Sequence, residues 1–304
     1  MKKVIVTTTI NPITKAIKRF QQMKDWDIVV VGDLKTPKDY HLEKGIYISP
    51  EMQDKYDHEL SELIGWNCIQ RRSFGLLWAK DMEADIIAVV DDDNIPLDNW
   101  GQNLFLDEPI NVKYYQSDLV FDPIGATNYP NLWHRGFPLD QLKNRKYNKY
   151  ISKTIVPDVQ ADFWNGDPDI DAICRMEHAP ECQFEQVYFP MASSSISPFN
   201  SQNTFISKNY LKDYFLFPHI GRMDDIWASY YLQAKGAQVV YGKPSVYQDR
   251  NEHDLIEDMK KEYLGYEQNS NLLKSLKIDP ENIKKFLPKK SWDAFMRYKL
   301  HFYE

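Results

Sequence analysis

The stretch I-I-A-V-V-D-D-D-N-I-P, Ile86 to Pro96, runs from five apolar residues straight into three carboxylates. An unbroken apolar run bounded by turn residues reads as a buried strand, here Asp85 to Val90. Like charges at its end repel, so something must neutralise them. A divalent metal does so, and oxygen ligands suit magnesium or manganese, held by one or two carboxylates and completed by phosphates. If strand geometry persists, Asp91 and Asp93 point to one side and Asp92 to the other. The pair can then share a metal or divide metal and ribose between them. The D-D-N sequence also suits a solvated turn; the strand that precedes it favours the metal.

Working outward, Val4 to Thr8 reads as a first strand, followed by a turn at Asn11-Pro12 and a helix over 14–23. Asp27 to Val31 and Gly45 to Ile48 read as further strands, the second stopped by Pro50. The spacing of Trp66, Ile69, Leu76 and Leu77 predicts one helix over 63–80. Strands alternating with helices imply βαβ units and a mostly parallel sheet, whose ligands bind beyond the carboxyl ends of the strands. Thr8, Asp33 and Asp91 to Asp93 all fall at such ends. Residues 98–198 show no clean periodicity. They are rich in Trp, Tyr, Asn, Asp and Pro, and long irregular segments inside a compact domain tend to be functional. A helix over 224–235 and a strand over 237–241 follow, and residues 254–304 read as helical and Lys-rich.

Composition narrows the function. A formal net charge of −7 argues against a general nucleic-acid partner. Aromatics at 14% are enough to line nucleotide or carbohydrate sites as well as a core. Three cysteines make no disulfide framework, and no apolar run spans a bilayer, so a cytoplasmic location is expected. There is no P-loop and no G-x-G-x-x-G.

Other clusters carry chemistry. In H-R-G-F-P-L, Arg135 could pair with a diphosphate in a bidentate fork. Arg71 and Arg72 offer a further phosphate or base contact, with one of the two expected on a solvated helix face. In G-R-M-D-D-I-W-A, Asp225 and then Asp224 could orient or deprotonate an acceptor hydroxyl, although acids in a first helical turn also complement the helix dipole. His253, in Q-D-R-N-E-H-D, could complete a metal shell, or be a polar surface residue. W-N-G-D-P-D-I-D-A is a turn-rich acidic segment, and S-P-F-N-S-Q-N-T suits hydrogen bonding to a polyol.

Taken in order, D-D-D-N, H-R-G-F-P-L, W-N-G-D-P-D-I-D-A, P-F-N-S-Q-N-T and G-R-M-D-D-I-W-A resemble the glycosyltransferase-like domain of the plant STELLO proteins. They are more distantly similar to the reversibly glycosylated polypeptides, the UDP-arabinopyranose mutases. The resemblance runs from about Val4 to His253. It implies an α/β, GT-A-like (Rossmann-like) fold and a UDP-sugar donor. It also implies a divalent ion, Mn2+ or Mg2+, at Asp91 to Asp93, with His253 at a position where many such enzymes carry a histidine. Arg135 matches the first arginine of the mutases' R-G-Y-P-F-S-L-R. The second falls on Leu142, a departure that favours an external glycan or lipid-linked acceptor over mutase activity.

The expected organisation is therefore a GT-A-like domain over 1–253, with a nucleotide-binding half to 100 and an acceptor half from 101, and a helical extension over 254–304. Thr8 and Asp33 would contact the nucleoside and Asp91 and Asp93 the metal and ribose-phosphate, with Arg71 and Asp92 also in the nucleotide site and His253 in the metal shell. A mutase, or a non-catalytic organiser of other glycosyltransferases, stays open as an alternative. The tail mixes Lys284, Lys285, Lys289, Lys290, Arg297 and Lys299 with Phe286, Trp292, Phe295, Tyr298 and Phe302. Such a helix either packs on the domain or touches an anionic membrane surface at its inner face, and packing is favoured.

Overall fold

The computed structural model describes residues 1–147, 149–249 and 254–303. Four strands, β1 (Lys3–Thr9), β2 (Asp27–Gly32), β3 (Ile46–Ile48) and β4 (Ile86–Val90), pair in parallel in the order β3-β2-β1-β4. Their interior residues are buried on both faces, which is why they read as continuous β-branched runs rather than alternating ones. Helices α1 (Lys15–Phe20), α2 (Pro50–Tyr56), α3 (His58–Ile64) and α4 (Arg72–Asp81) connect them. Thr14, Ser49 and Asp57 cap the first three by accepting hydrogen bonds from first-turn N–H groups.

The same sheet continues through β5 (Asn94–Pro96), β6 (Ile110–Tyr115), β7 (Ile151–Ile155), β8 (Val159–Gly166), β9 (Met191–Ser193), β10 (Asn203–Ser207) and β11 (Val239–Gln248). Its order is β3-β2-β1-β4-β10-β8-β11-β9-β6-β7, with β5 pairing to β11. β10 runs antiparallel to both β4 and β8, so the parallel half passes into a mixed half at that strand. Helices α5 (Ala172–His178), α6 (Asp224–Ala234), α7 (Leu255–Ile278) and α8 (Lys289–Leu300) complete the chain. The architecture is α/β and Rossmann-like: a helix-flanked sheet with a helical C-terminal extension.

Four local expectations change. The predicted helix over 63–80 is two helices. Gly65 caps α3 at φ 83° and Asn67 follows at φ 58°, a left-handed excursion that a continuing helix does not allow. Pro50 does not merely stop β3; it opens α2, where its fixed φ and missing N–H suit a first turn. Residues 98–198 hold strands β6 to β9 and α5, unread because β8 is buried almost throughout and the others are short. β11 runs to Gln248, interrupted by a register shift between Gly242 and Val246.

The C-terminal segment folds back on the domain. α7 lies on α5 and α6, and α8 on α3. Phe295 and Tyr298 are buried, and Phe286, Trp292 and Phe302 pack against the same core. Arg297 pairs with Asp57 and Lys299 with Asp213, while Lys284, Lys285, Lys289 and Lys290 stay exposed. Among the described residues, no helix is long and apolar enough to cross a membrane.

Candidate active site

The carboxyl ends of β1, β2 and β4 open on two adjoining cavities. One, of about 310 Å³, is lined by Thr8, Thr9, Asp33, Asn67 and Arg72. The other, of about 380 Å³, is lined by Gln70, Arg135, Gln202, Asp224, Asp225 and Gln248. Asp91, Asp93, Cys68 and Ile69 belong to both. Asp92 lines only the first. β4 ends at Val90 and the three acids lie in the turn that follows, closed by the Asn94 N–H on the Asp91 carbonyl at 3.3 Å, so it is this turn and not a continuing strand that sets Asp91 and Asp93 apart from Asp92.

Each acid is held by a different element. Arg72, from α4, donates to Asp91 Oδ1 at 2.6 Å and to Thr8 Oγ1 at 3.3 Å. Its other terminal nitrogen bonds Ser201 O at 2.6 Å and Ser201 Oγ at 2.8 Å. Asp92 Oδ2 accepts from Thr9 Oγ1 at 2.5 Å and Asn11 Nδ2 at 3.1 Å. Asp93 Oδ2 accepts from Gln248 Nε2 at 3.0 Å, at the end of β11. Burial pushes the Asp91 carboxyl above its usual range, and the Arg72 guanidinium opposes that shift.

Neither arginine of the 71–72 pair is solvated, contrary to expectation; Arg71 and Arg72 are both buried. The break after α3 turns Arg71 inward, where it donates to Gln53 Oε1 at 2.8 Å and Ser61 O at 3.1 Å and stacks over Trp66. Asp33 is also wired internally. It accepts the backbone N–H groups of Leu34, Asn67 and Cys68 at 2.6, 2.9 and 3.0 Å, and so shapes the wall of the first cavity.

Arg135 sits between two carboxylates. It donates to Asp169 Oδ1 and Oδ2 at 2.8 and 3.0 Å, to Asp225 Oδ1 and Oδ2 at 2.9 and 3.1 Å, and to the Arg222 carbonyl. All five guanidinium N–H donors are engaged, so a diphosphate would have to displace one. Asp225 also accepts the Ser201 N–H at 3.0 Å, and Asp169 accepts from Asn200 Nδ2 at 2.8 Å. Asp224, one residue earlier on α6, takes a single side-chain bond, from Gln70 Nε2 at 2.7 Å. Burial, then the charge of Asp225, pushes its carboxyl well above the ordinary range, and Arg135 opposes this.

The metal set can be tested on chemistry. Among the described residues no group of three or more His, Cys, Asp or Glu converges. Asp91 and Asp93 do line one cavity together with Gln248, whose Oε1 is buried with no hydrogen-bond partner among the described residues. Two carboxylates and an unpaired amide oxygen are hard donors that fit magnesium or manganese, with phosphates as further ligands. His253 lies outside the described residues. Sequence reasoning passed over Gln248, Gln70 and Asp169. Gln248 had a signal, a polar residue at the end of a strand, and Asp169 lay within the acidic segment W-N-G-D-P-D-I-D-A; Gln70 had none, because its partner lies 154 positions away.

No protein-family model matches the chain. Among curated proteins it is similar to probable glycosyltransferase STELLO2 of Arabidopsis thaliana, 25% identical over 186 residues, 57% of this chain and 24% of that protein. It is also similar to probable glycosyltransferase STELLO1 of the same plant, 23% identical over 224 residues, 67% of this chain and 29% of that protein. The chain thus matches less than a third of the length of these relatives. Among solved structures, glucosyl-3-phosphoglycerate synthase from Mycobacterium tuberculosis in complex with phosphoglyceric acid aligns at TM-score 0.44 and 11% identity, over 89% of this chain and 80% of that one. Over more than half its length, the chain is similar in sequence to glycosyltransferase-like proteins.

Proposed function

We propose that the chain is a metal-dependent glycosyltransferase that moves a sugar from a nucleotide-diphosphate donor, a UDP-sugar, to a hydroxyl of a glycan or lipid-linked glycan. The observation that carries this reading is the meeting of two cavities at Asp91 and Asp93. One cavity has the strand-end position expected of a nucleoside site, and the other presents carboxylates and amides to a sugar and its acceptor. The similarity to STELLO glycosyltransferases supports it.

In this reading Thr8 and the Asp33-shaped wall receive the nucleoside, and Asp91, Asp93 and Gln248 hold Mn2+ or Mg2+. The bound ion supplies Lewis-acid stabilisation of the leaving diphosphate. Arg135 fixes Asp225 and Asp169 in place instead of gripping the diphosphate. Asp224 replaces Asp225 as the group that serves the acceptor, because its carboxyl carries one side-chain bond while both oxygens of Asp225 are tied. A carboxyl raised towards neutrality by burial suits proton removal from a hydroxyl. Cys68 and Ile69 close the site on the α4 side.

Calorimetric titration of UDP and a panel of UDP-sugars, with and without manganese, tests this, together with donor hydrolysis. Binding that needs manganese and is lost in Asp91→Ala/Asp93→Ala is the expected result. Ring isomerisation of the UDP-sugar without acceptor would make the chain a mutase. Absence of both nucleotide binding and hydrolysis would make it a non-catalytic organiser.

A further inference from the structure

A third cavity, of about 330 Å³, shares no lining residue with the two at the acidic strand ends. It lies over β8 and β11, between the segment 99–105 and the segment 186–190. Its floor is Asp162, only 7% exposed. Gln160, on the same face of β8, donates to Asp162 Oδ1 at 2.8 Å and accepts the Phe105 N–H at 2.8 Å. Lys243 enters from the neighbouring strand, and Phe105 and Phe189 supply apolar walls.

Three features of the chain build this pocket. The register of β11 against β8 shifts after Gly242, and bulges of this kind re-aim side chains beside sites. That shift accompanies Lys243 in the cavity and Ser245 hydrogen-bonded to Asp162. A Cβ on Gly242 would stand 1.9 Å from Asp162 Oδ1, so the glycine makes room for the carboxyl. Finally, Asp162 is buried without the guanidinium that neutralises Asp169 and Asp225. Burial pushes its carboxyl up to about 7, and the hydrogen bonds from Gln160 and Ser245 and the charge of Lys243 only partly oppose that shift.

The lining chemistry selects a ligand. One carboxyl and one ammonium leave no net charge to select an ion. The carboxyl accepts hydrogen bonds and the ammonium donates them, and a sugar hydroxyl can do both. Amides from Asn99, Asn103 and Gln186 sit at the rim, and aromatic walls take the C–H face of a ring. We propose that this cavity is a saccharide subsite, distinct from the donor and acceptor cavities, that takes an uncharged sugar ring against Phe105 and Phe189. This goes beyond the transferase reading and does not depend on it.

The test is saturation-transfer NMR and calorimetry with methyl glycosides of common hexoses, pentoses and N-acetylhexosamines. The parent is compared with Asn103→Trp, which fills the exposed mouth, with Lys243→Ala, and with Asp91→Ala/Asp93→Ala; circular dichroism melts confirm that each variant folds. At least one glycoside should bind the parent, about tenfold more weakly in Asn103→Trp and Lys243→Ala, and with unchanged affinity when Asp91 and Asp93 are replaced. No glycoside binding, binding indifferent to Asn103→Trp, or binding lost only in the Asp91/Asp93 variant overturns the proposal. Inorganic phosphate binding that depends on Lys243, in the absence of glycoside binding, would make it an anion site and overturn it too. Failure of the transferase reading would show in the UDP titrations and leave these results standing.

Discussion

Two acidic clusters meet at one cavity, which Asp91 and Asp93 line from the first and Asp225 from the second, and they are neutralised in opposite ways. Asp91, Asp92 and Asp93 remain partly exposed, each held from a separate place: α4, the end of β1 with the loop after it, and the end of β11. Asp169 and Asp225 are buried and share a single guanidinium whose donors are all engaged. The difference separates scaffold from binding surface. Charge that fixes the backbone is compensated internally, since an unpaired buried charge costs several kcal/mol. Charge that must meet a ligand is left with partners that can be exchanged.

The comparison breaks most visibly at Arg135. Removing it strands two buried carboxylates, so Arg135→Ala should lose about 3–5 kcal/mol of stability in urea unfolding. Arg135→Lys should recover only part, because an ammonium cannot serve two bidentate partners. A loss below about 1 kcal/mol would mean that the cluster is not a scaffold.

Next comes Asp224→Asn. It should not lower the urea midpoint, because the amide relieves the burial of the carboxylate, while lowering kcat by about 10²–10⁴, the usual worth of a general base. The parent's kcat should rise with pH along a limb shifted above the ordinary carboxylate range, since the base must be deprotonated and burial and Asp225 hold its proton. A pH-independent kcat in the parent would remove Asp224 from that role.

Asp162 sharpens the contrast because it is a buried carboxyl with no arginine. Burial pushes its carboxyl from the ordinary 3.8 up to about 7, so the folded state binds the proton more tightly than the unfolded chain. Stability should therefore fall as pH rises from about 4 through 7. Asp162→Asn should gain on the parent by about 2 kcal/mol between pH 5 and pH 8, read from paired urea melts. An equal gap at both pH values would mean that the carboxyl is not strained by burial.

The smallest effect is expected at Gln248. Its Nε2 orients Asp93, and its buried Oε1 has no hydrogen-bond partner among the described residues. Gln248→Ala should weaken manganese-dependent UDP binding by about 10-fold without changing the melting temperature. Unaltered calorimetric affinity would take Gln248 out of the metal set.

How much of this was legible depended on the range of the interaction. The parallel half could be read from its apolar runs, and the acidic end of β4 from D-D-D-N, because strand burial and turn chemistry are local properties. The break at Gly65 was also local, but the apolar spacing of Trp66 and Ile69 masked it. Residues 98–198 resisted reading because β8 is buried on both sides and carries its polar residues inward. Arg71 and Arg72 show the limit most clearly: adjacent cations look alike in sequence, yet one packs on Trp66 and the other reaches Asp91.

The chain by itself determined that a buried strand ends in three carboxylates beside other strand ends, since hydrophobic period and chirality suffice for that. Only the tertiary structure decided which charges are scaffold and which are open. Arg135 meets Asp169 and Asp225 across 34 and 90 positions, and Gln248 meets Asp93 across 155. No local rule encodes such pairings; they follow from how β10 joins the two halves of the sheet and brings those ends together.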